Sequence, residues 1–464
     1  MKRARPDDDA EDPAGPPPLR AGLAAEHVHP SALRVTPIEG KGDGVVAAAA
    51  LAPGELLVRA RGLRFSEAAA AEGQGSAFLA ESLDQLCELR RDSPADAEAM
   101  LRGWRGLCPH PVPPEARAPL EAQAGALGEM LEHFEGCGVA DVSELIALIV
   151  KVQCNAFEGG LFPLAAKFNH SCAANCSVAL REMELPGEGE GAGRTGWVYE
   201  VRTMAAVEEG QELCLCYLGL AEQHLAGFSR RAKLAGWGFD CTCCRCVPTT
   251  PEWRQRDAES VSIRCDSCDG WCRQEADDRV GACAACGSVQ PPSLGRDIAA
   301  HAAALMRRAP VEDAAALSAS DVWGLKEAVE GVRAVTHPAH FLRFVESEAI
   351  AARTKEVALA LRGSEGDKAA FREAVSAHLQ ACRASVSWAE QARCYAAYER
   401  GTARLLEELV LALRAADGAG VPAAEPGGDG SQGAEGLEAE AARLEVRALE
   451  CMRVAYGGHD HYCV

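Results

Sequence analysis

The sequence predicts an α+β chain in unequal parts: a β-rich N-terminal half interrupted by helices, a small cysteine module, and an α-helical C-terminal third. Three observations carry that prediction. Short apolar, β-branched runs set off by Pro-Gly and Gly-rich turns lie between residues 33 and 58, and recur at Cys176–Leu180, Trp197–Val201 and Glu212–Tyr217. From residue 296 onward the chain is rich in Ala, Leu, Glu and Arg and poor in strand formers. Between these regions stand cysteines paired at metal-ligand spacing. At 464 residues the chain holds two or three domains, because a single core rarely grows past about 250–300 residues.

Residues 1–30, with Pro16–Pro18 and mixed charge, form a disordered leader. Leu33–Val35, Val45–Leu51 and Glu55–Val58 are apolar pieces, and Pro53-Gly54 between the last two predicts a β-hairpin. Gly40, Gly42 and Gly44 form a turn whose backbone can approach a ligand closely. Residues 66–160 are predicted to be helical. Within them Asp141 and Glu144 form a capping box, and Leu145, Ile146, Leu148, Ile149 and Val152 trace a buried helix. Arg181–Gly196 is a polar loop, and Glu208–Gly210 is the turn before Glu212–Tyr217. In the C-terminal part, Leu437, Ala441, Leu444, Ala448 and Cys451 follow helical spacing up to Gly457-Gly458, and Gly418–Gly436 is a flexible loop.

Composition narrows the function. With 48% hydrophobic and 25% charged residues the chain is an ordinary globular protein. Its N-terminal residues lack the apolar core of a secretory signal, and no apolar run reaches the roughly 18–20 residues of a membrane span. An intracellular protein is expected, in the nucleus or the cytoplasm, with Lys2–Arg5 a weak import-signal fragment. In a reducing compartment the 21 cysteines point to metal where they cluster. Isolated Cys87, Cys108, Cys137, Cys382 and Cys394 are expected to be small core residues. A net charge of −21 argues against direct nucleic-acid binding. It serves solubility, and it also suits a basic protein partner.

Four pieces occur in a telling order: Gly40–Gly44, Asn169-His170-Ser171-Cys172, Glu212–Tyr217, and the cysteine knot Cys241, Cys243 and Cys246. This order resembles SET-domain lysine methyltransferases, closest to the SET-and-MYND branch, over roughly residues 33–247. The resemblance implies a SET domain at 31–247 that holds the helical insert at about 66–160 and a cysteine-bound post-SET flap at about 237–247. After it come a zinc-ribbon-like segment at 260–290 and a helical, TPR-like domain at 296–464, although no clean 34-residue period is found. The MYND finger of that branch needs paired cysteines, and Cys87, Cys108 and Cys137 in its stretch are not so paired.

By the same resemblance the methyl donor S-adenosyl-L-methionine lies against Lys41, Gly42 and Asp43. Asn155, Asn169, His170, Tyr217 and Phe239 then contact it, with Phe239 stacked on adenine. Tyr217 is the catalytic tyrosine, a phenol that stays protonated at pH 7. Trp237 walls the lysine channel where the branch typically has Tyr, and Ala173-Ala174 replaces its usual Asp-Pro. Methyl transfer needs no enzyme nucleophile: it needs donor and amine aligned and the lysine desolvated until it sheds a proton.

Cys241, Cys243 and Cys246 are one short of the four ligands zinc prefers. The resemblance supplies Cys172, while Cys244 and Cys176 stand as alternatives. Cys265, Cys268, Cys283 and Cys286 give Cys-x2-Cys-x14-Cys-x2-Cys, a zinc-ribbon spacing, with Cys272 an alternate ligand and a redox dithiol the competing reading. The expected function is S-adenosylmethionine-dependent protein-lysine methylation by a monomer acting on a lysine-bearing protein, such as a basic histone tail. The rival reading is a catalytically inactive SET-derived scaffold. A zinc hydrolase is disfavoured, because the clustered ligands are all thiolates.

Overall fold

Alternating polar and apolar residues commit the N-terminal half to several small antiparallel sheets. The computed structural model describes residues 25–29, 33–64, 76–109, 111–156, 160–185, 194–276, 279–306, 329–362, 368–392, 400–422 and 436–456. One sheet runs β1 (Ala25–Val28), β4 (Leu56–Arg61), β8 (Arg194–Thr203), β7 (Cys176–Leu185), and a second runs β2 (Leu33–Ile38), β3 (Gly42–Ala47), β9 (Glu212–Leu213). Their shared core contains Val45, Leu57, Val58, Phe162, Phe168, Tyr199, Val201 and Leu213. The short pair β5 (Leu63–Arg64) and β6 (Gly160–Leu161) joins the two ends of the helical excursion.

Four expectations need correction. Ala25–Val28 is not leader but an edge strand paired with β4. The pieces either side of Pro53-Gly54 do not form a hairpin. β3 pairs with β2 and β9, whereas β4 pairs with β1 and β8, so the Pro-Gly turn carries the chain from one sheet to the other. The hairpin is β2–β3, closed by the glycine turn. The polar loop starts later than expected and ends earlier, because β7 extends to Leu185 and β8 begins at Arg194. Glu212–Tyr217 is strand only at Glu212–Leu213, with Leu215 bridging to His170 in parallel.

The helical excursion comprises α1 (Ser76–Asp92), α2 (Pro94–Arg105), α3 (Pro114–Glu121), α4 (Ala124–His133) and α5 (Val142–Asn155). Helix α5 starts as its capping residues dictate: Asp141 Oδ1 accepts from Glu144 N at 2.8 Å, while Glu144 reaches Ala140 N at 2.6 Å and Arg105 Nε at 2.6 Å. Its apolar stripe is buried as expected, and Trp104 of α2 donates its indole N–H to Leu148 O at 3.0 Å.

Beyond α6 (Leu220–Gln223), α7 (Gly227–Ala235) and α8 (Pro251–Ser260), a three-stranded ribbon β10 (Ser262–Arg264), β11 (Trp271–Ala276), β12 (Arg279–Cys283) carries the second cysteine set. Helices α9 (Pro292–Met306), α10 (Phe341–Leu361), α11 (Lys368–Ala392), α12 (Arg400–Gly418) and α13 (Leu437–Tyr456) follow, and from α10 onward each packs on the next. Helix α13 returns to the first sheet, where Ser177 Oγ donates to Ala455 O at 2.9 Å. Gly457-Gly458 and Cys394 lie outside the described residues. Among the described residues no helix is long and apolar enough to cross a membrane.

The first sheet is pinned by a buried carboxylate. Glu200 on β8 is 1% exposed and meets Arg59 Nε at 2.7 Å, Arg181 Nε at 3.2 Å and Arg202 Nη2 at 3.2 Å. Burial pushes its pKa up, but the hydrogen bonds from Arg59 and the three positive charges outweigh it and hold the carboxyl below the usual range. A depressed acid stabilises the fold fully above its unfolded pKa of about 4.3, and the contribution is lost as pH falls through the folded value. Glu200→Gln should therefore cost about 3 kcal/mol at pH 7 in chemical denaturation. The gap between wild type and variant should close below about pH 4, and a pH-independent gap would refute the charge assignment.

Candidate active site

The glycine turn is built for proximity. Gly42 has φ of +79°, a left-handed conformation that disfavours any side chain. A Cβ on Gly44 would lie 2.5 Å from Ile38 Cγ1 and 2.6 Å from Asn169 Nδ2, so only glycine lets the turn close onto Asn169. Asn169 is held there by two acceptors, Glu212 Oε1 at 3.0 Å and Asp43 O at 3.3 Å.

Six segments remote in sequence converge on one cavity of about 470 Å³, within the size range of small-molecule sites. The turn contributes Lys41 and Asp43, the end of α5 contributes Asn155, and Asn169 with His170 comes from the central segment. Tyr217, Trp237 and Phe239 complete the wall, alongside Cys241 and Cys243. Of the residues expected to contact a donor, only Gly42 does not line the cavity; it shapes the turn between Lys41 and Asp43.

His170 organises the floor. Its Nδ1 accepts the Tyr217 backbone N–H at 3.0 Å, which leaves Nε2 as the protonated nitrogen, 3.3 Å from Cys172 Sγ. Burial drives the imidazole pKa down to about 4, so the ring is neutral at physiological pH. Tyr217 donates its hydroxyl to Phe168 O at 2.7 Å, and burial, reinforced by Cys214 and Glu212, raises its pKa above the ordinary phenol value. The phenol is therefore a fixed, protonated group whose oxygen lone pairs stay available. Its ring lies 5.3 Å from Trp237 and 6.2 Å from Phe239, giving an aromatic wall with Trp237 38% exposed.

Both lysines on the cavity are paired. Lys41 Nζ contacts Glu212 Oε2 at 2.6 Å, and Lys167 Nζ contacts Asp43 Oδ2 at 3.1 Å. Burial lowers the Lys41 pKa, but the Glu212 hydrogen bond together with the negative charge of Glu212 and of nearby thiols outweighs it, and the net shift is upward.

Two thiol sets are assembled, and in each the four sulfurs lie within 4.8 Å of one another. Cys172 Sγ sits 3.5 Å from Cys246 Sγ and 4.0 Å from Cys241 Sγ. In the ribbon Cys265 is 3.8 Å from Cys286, and Cys268 is 3.6 Å from Cys283. A tetrahedron with Zn–S bonds of about 2.3 Å has sulfurs about 3.8 Å apart, so both sets fit zinc. Cys176 and Cys244 do not belong to the first set, nor Cys272 to the second, although Cys272 is buried beside it.

Sequence reasoning did not anticipate several neighbours. Arg230 on α7 is 4% exposed and points Nη2 at Cys246 Sγ, 3.7 Å away. Arg245 donates to Cys172 O at 2.8 Å and Gln223 O at 2.7 Å. Cys108 is not a core residue: it is exposed and lines the cavity together with Cys154, whereas Cys137 and Cys382 are buried. The adjacency of Cys154 to Asn155 was the one available signal.

A family model for the SET domain matches residues 42–218. Over 153 residues the chain is 26% identical to histone-lysine N-methyltransferase SMYD3 of Mus musculus, covering 29% of this chain and 31% of that protein. The Homo sapiens SMYD3 match is 26% over 148 residues, covering 28% and 29%. Protein-lysine N-methyltransferase SMYD4 of Mus musculus is 32% identical over 101 residues, covering 20% of this chain and 11% of that protein. The chain thus carries a SET domain and is similar to SMYD proteins, while the matches span less than a third of those relatives' length.

Gly44→Ala tests the close approach on which the cavity depends. Overpacking against Ile38 and Asn169 should cost about 1–3 kcal/mol in thermal or chemical denaturation. Unchanged stability would show that Asn169 moves aside freely.

Proposed function

We propose that the protein is an S-adenosyl-L-methionine-dependent protein-lysine N-methyltransferase. The observation that carries this reading is the convergence of Asn155, Asn169, His170, Tyr217 and Phe239 on a single cavity. When bound, S-adenosyl-L-methionine supplies an electrophilic methyl group on a sulfonium sulfur. Lys41, Asp43, Asn155, Asn169 and His170 would hold its polar ends, and Phe239 would stack on its adenine. Because the Tyr217 proton is committed to Phe168 O, the phenol oxygen acts as an acceptor, orienting an amine and favouring C–H···O contacts with a methyl group. The aromatic wall of Tyr217 and Trp237 suits an ammonium or methylammonium by cation–π attraction. It also excludes water, which favours the neutral, nucleophilic amine.

The acceptor in this reading is a lysine on a protein segment, with basic segments such as histone tails favoured by the charge of −21. The protein acts as a monomer in the nucleus or cytoplasm, without membrane or direct nucleic-acid contact. The segment at 237–247 serves as a post-SET flap clamped by zinc on Cys172, Cys241, Cys243 and Cys246. Residues 260–290 form a zinc ribbon on Cys265, Cys268, Cys283 and Cys286, and the last helices form a TPR-like array.

Two measurements test this. Purified protein should contain two zinc ions per chain by elemental analysis. Cys172→Ser should lose one ion together with binding of S-adenosylhomocysteine, whereas Cys268→Ser should lose one ion and keep that binding. Loss of donor-product binding from both variants, or from neither, would contradict the flap assignment. In radiolabelled methyl transfer onto histones and cell extract, Tyr217→Phe should lower kcat about 100-fold, with S-adenosylhomocysteine affinity within about threefold of wild type. Binding without any transfer by the wild type would favour a scaffold.

A further inference from the structure

A second cavity shares no residue with the one that holds Tyr217. It lies where α7 and α8 meet the end of α11, and it measures about 50 Å³. A water molecule needs about 10–15 Å³ of such space, so the room suits a few waters or one tetrahedral oxyanion. Three guanidiniums line it, those of Arg230, Arg245 and Arg256. Arg230 is 4% exposed, and its guanidinium meets carbonyls and a sulfur rather than a carboxylate. Nη1 donates to Leu225 O, and Nη2 donates to Arg245 O at 3.0 Å beside Cys246 Sγ. These contacts leave Nε buried and without a partner.

Arg256 repeats the pattern from α8. Its Nη1 meets Gln391 O and its Nη2 meets Glu252 Oε1 at 3.1 Å, while Nε is buried and unpartnered. The guanidinium also lies 5.9 Å from the centroid of the Trp253 ring, close enough for cation–π attraction. Both carboxylates on the wall are already engaged. Asp257 Oδ2 accepts from Arg273 Nη2 at 2.6 Å, and Glu259 Oε1 accepts from Gln255 Nε2 at 2.8 Å.

We propose that this cavity binds a phosphate-class oxyanion, held by Arg230 and Arg256. A guanidinium can only donate, so the two open Nε–H groups call for an acceptor. An anion answers them best, because charge-assisted hydrogen bonds are about twice as strong as neutral ones. A tetrahedral oxyanion presents several oxygens, so a single ion can accept from both arginines. Arg230 also faces Cys246, and Arg245 donates to the Cys172 carbonyl. The ion and the thiol cluster therefore share two guanidiniums, which limits repulsion between them. Water in the same room would satisfy the donors without adding negative charge, and the comparison below separates the two occupants.

The test titrates the full, zinc-loaded chain with inorganic phosphate by calorimetry and thermal denaturation, with sodium chloride at matched ionic strength as reference. Phosphate should bind at one ion per chain and raise Tm above the chloride reference. Arg256→Gln should weaken binding about tenfold or more, with zinc content unchanged. Arg230→Lys should weaken it as far. Because Arg230 touches Cys246, zinc is measured in that variant too, and Arg256→Gln decides the matter where metal is lost. Arg254→Gln, on the same helix but off the cavity wall, should bind like wild type. Phosphoserine in a parallel titration identifies the source: tighter binding than phosphate assigns the site to a phosphorylated side chain, weaker binding to the free ion. Stabilisation no greater than that by chloride would overturn the site and leave water as its occupant. Undiminished affinity in Arg256→Gln, or an equal loss in Arg254→Gln, would overturn it as well.

Discussion

The structure depends on one convergence: the Cys172 sulfur meeting those of Cys241 and Cys246, 69 and 74 residues further along the chain. Trp237 and Phe239 sit just before those partners, so the clamp fixes where their rings lie. The same sulfur receives His170 Nε2, whose other nitrogen takes the Tyr217 amide. The thiol cluster, the imidazole, the tyrosine and the aromatic wall are thus successive links of one chain of contacts. A shift of Cys172 would move all of them together. Four crowded thiols cannot all ionise without a cation between them, and hydrogen bonding among them raises the proton affinity of Cys172 and Cys241 while lowering that of Cys243 and Cys246. A zinc tetrathiolate here would carry two net negative charges, and buried Arg230 beside Cys246 would offset part of that load.

Much of the site was legible because its residues sit in short motifs whose chemistry is local. A glycine needed at positive φ, a tyrosine at the end of an apolar run and cysteines at ligand spacing each announce themselves within a few residues. The helix from Val142 to Asn155 was equally readable, since its cap and apolar stripe both point to one start and one buried face. Strand partners were not legible. Pro53-Gly54 looks like a hairpin turn in one dimension, yet Val58 pairs with Val201, and Val45 pairs with Val35 and Leu213. Nothing local distinguishes a turn within a sheet from a step between sheets.

The helical excursion hid the rest. Cys108 reads as an isolated small apolar residue, and its place on the cavity follows only from how α5 folds back beside it. The Asn155 side chain bridges these distant segments, accepting no guidance from sequence spacing. Likewise, the pairing of Lys41 with Glu212 and of Lys167 with Asp43 spans more than a hundred residues. These pairs keep two cations at the cavity edge of an acidic protein without leaving either uncompensated.

The two thiol sets occupy different mechanical positions. The first forms part of the cavity wall through Cys241 and Cys243, so any change in its sulfurs reaches the site directly. The second belongs to a ribbon tied into the helical third: Gln274 faces buried His340 at 3.2 Å, and Trp388 donates to the His340 carbonyl at 3.1 Å. Ile263 of the same ribbon bridges to Thr336, and the Trp271 ring meets His337 edge-on. Gln290 seals the ribbon's own cluster, donating to Cys265 Sγ at 3.4 Å. Its interactions run toward the helices rather than the cavity. The helical third also reaches the first sheet through Ala455, so the ribbon and α13 hold it at two separate points. Rigidity of that attachment depends on the second set, and the shape of the cavity on the first.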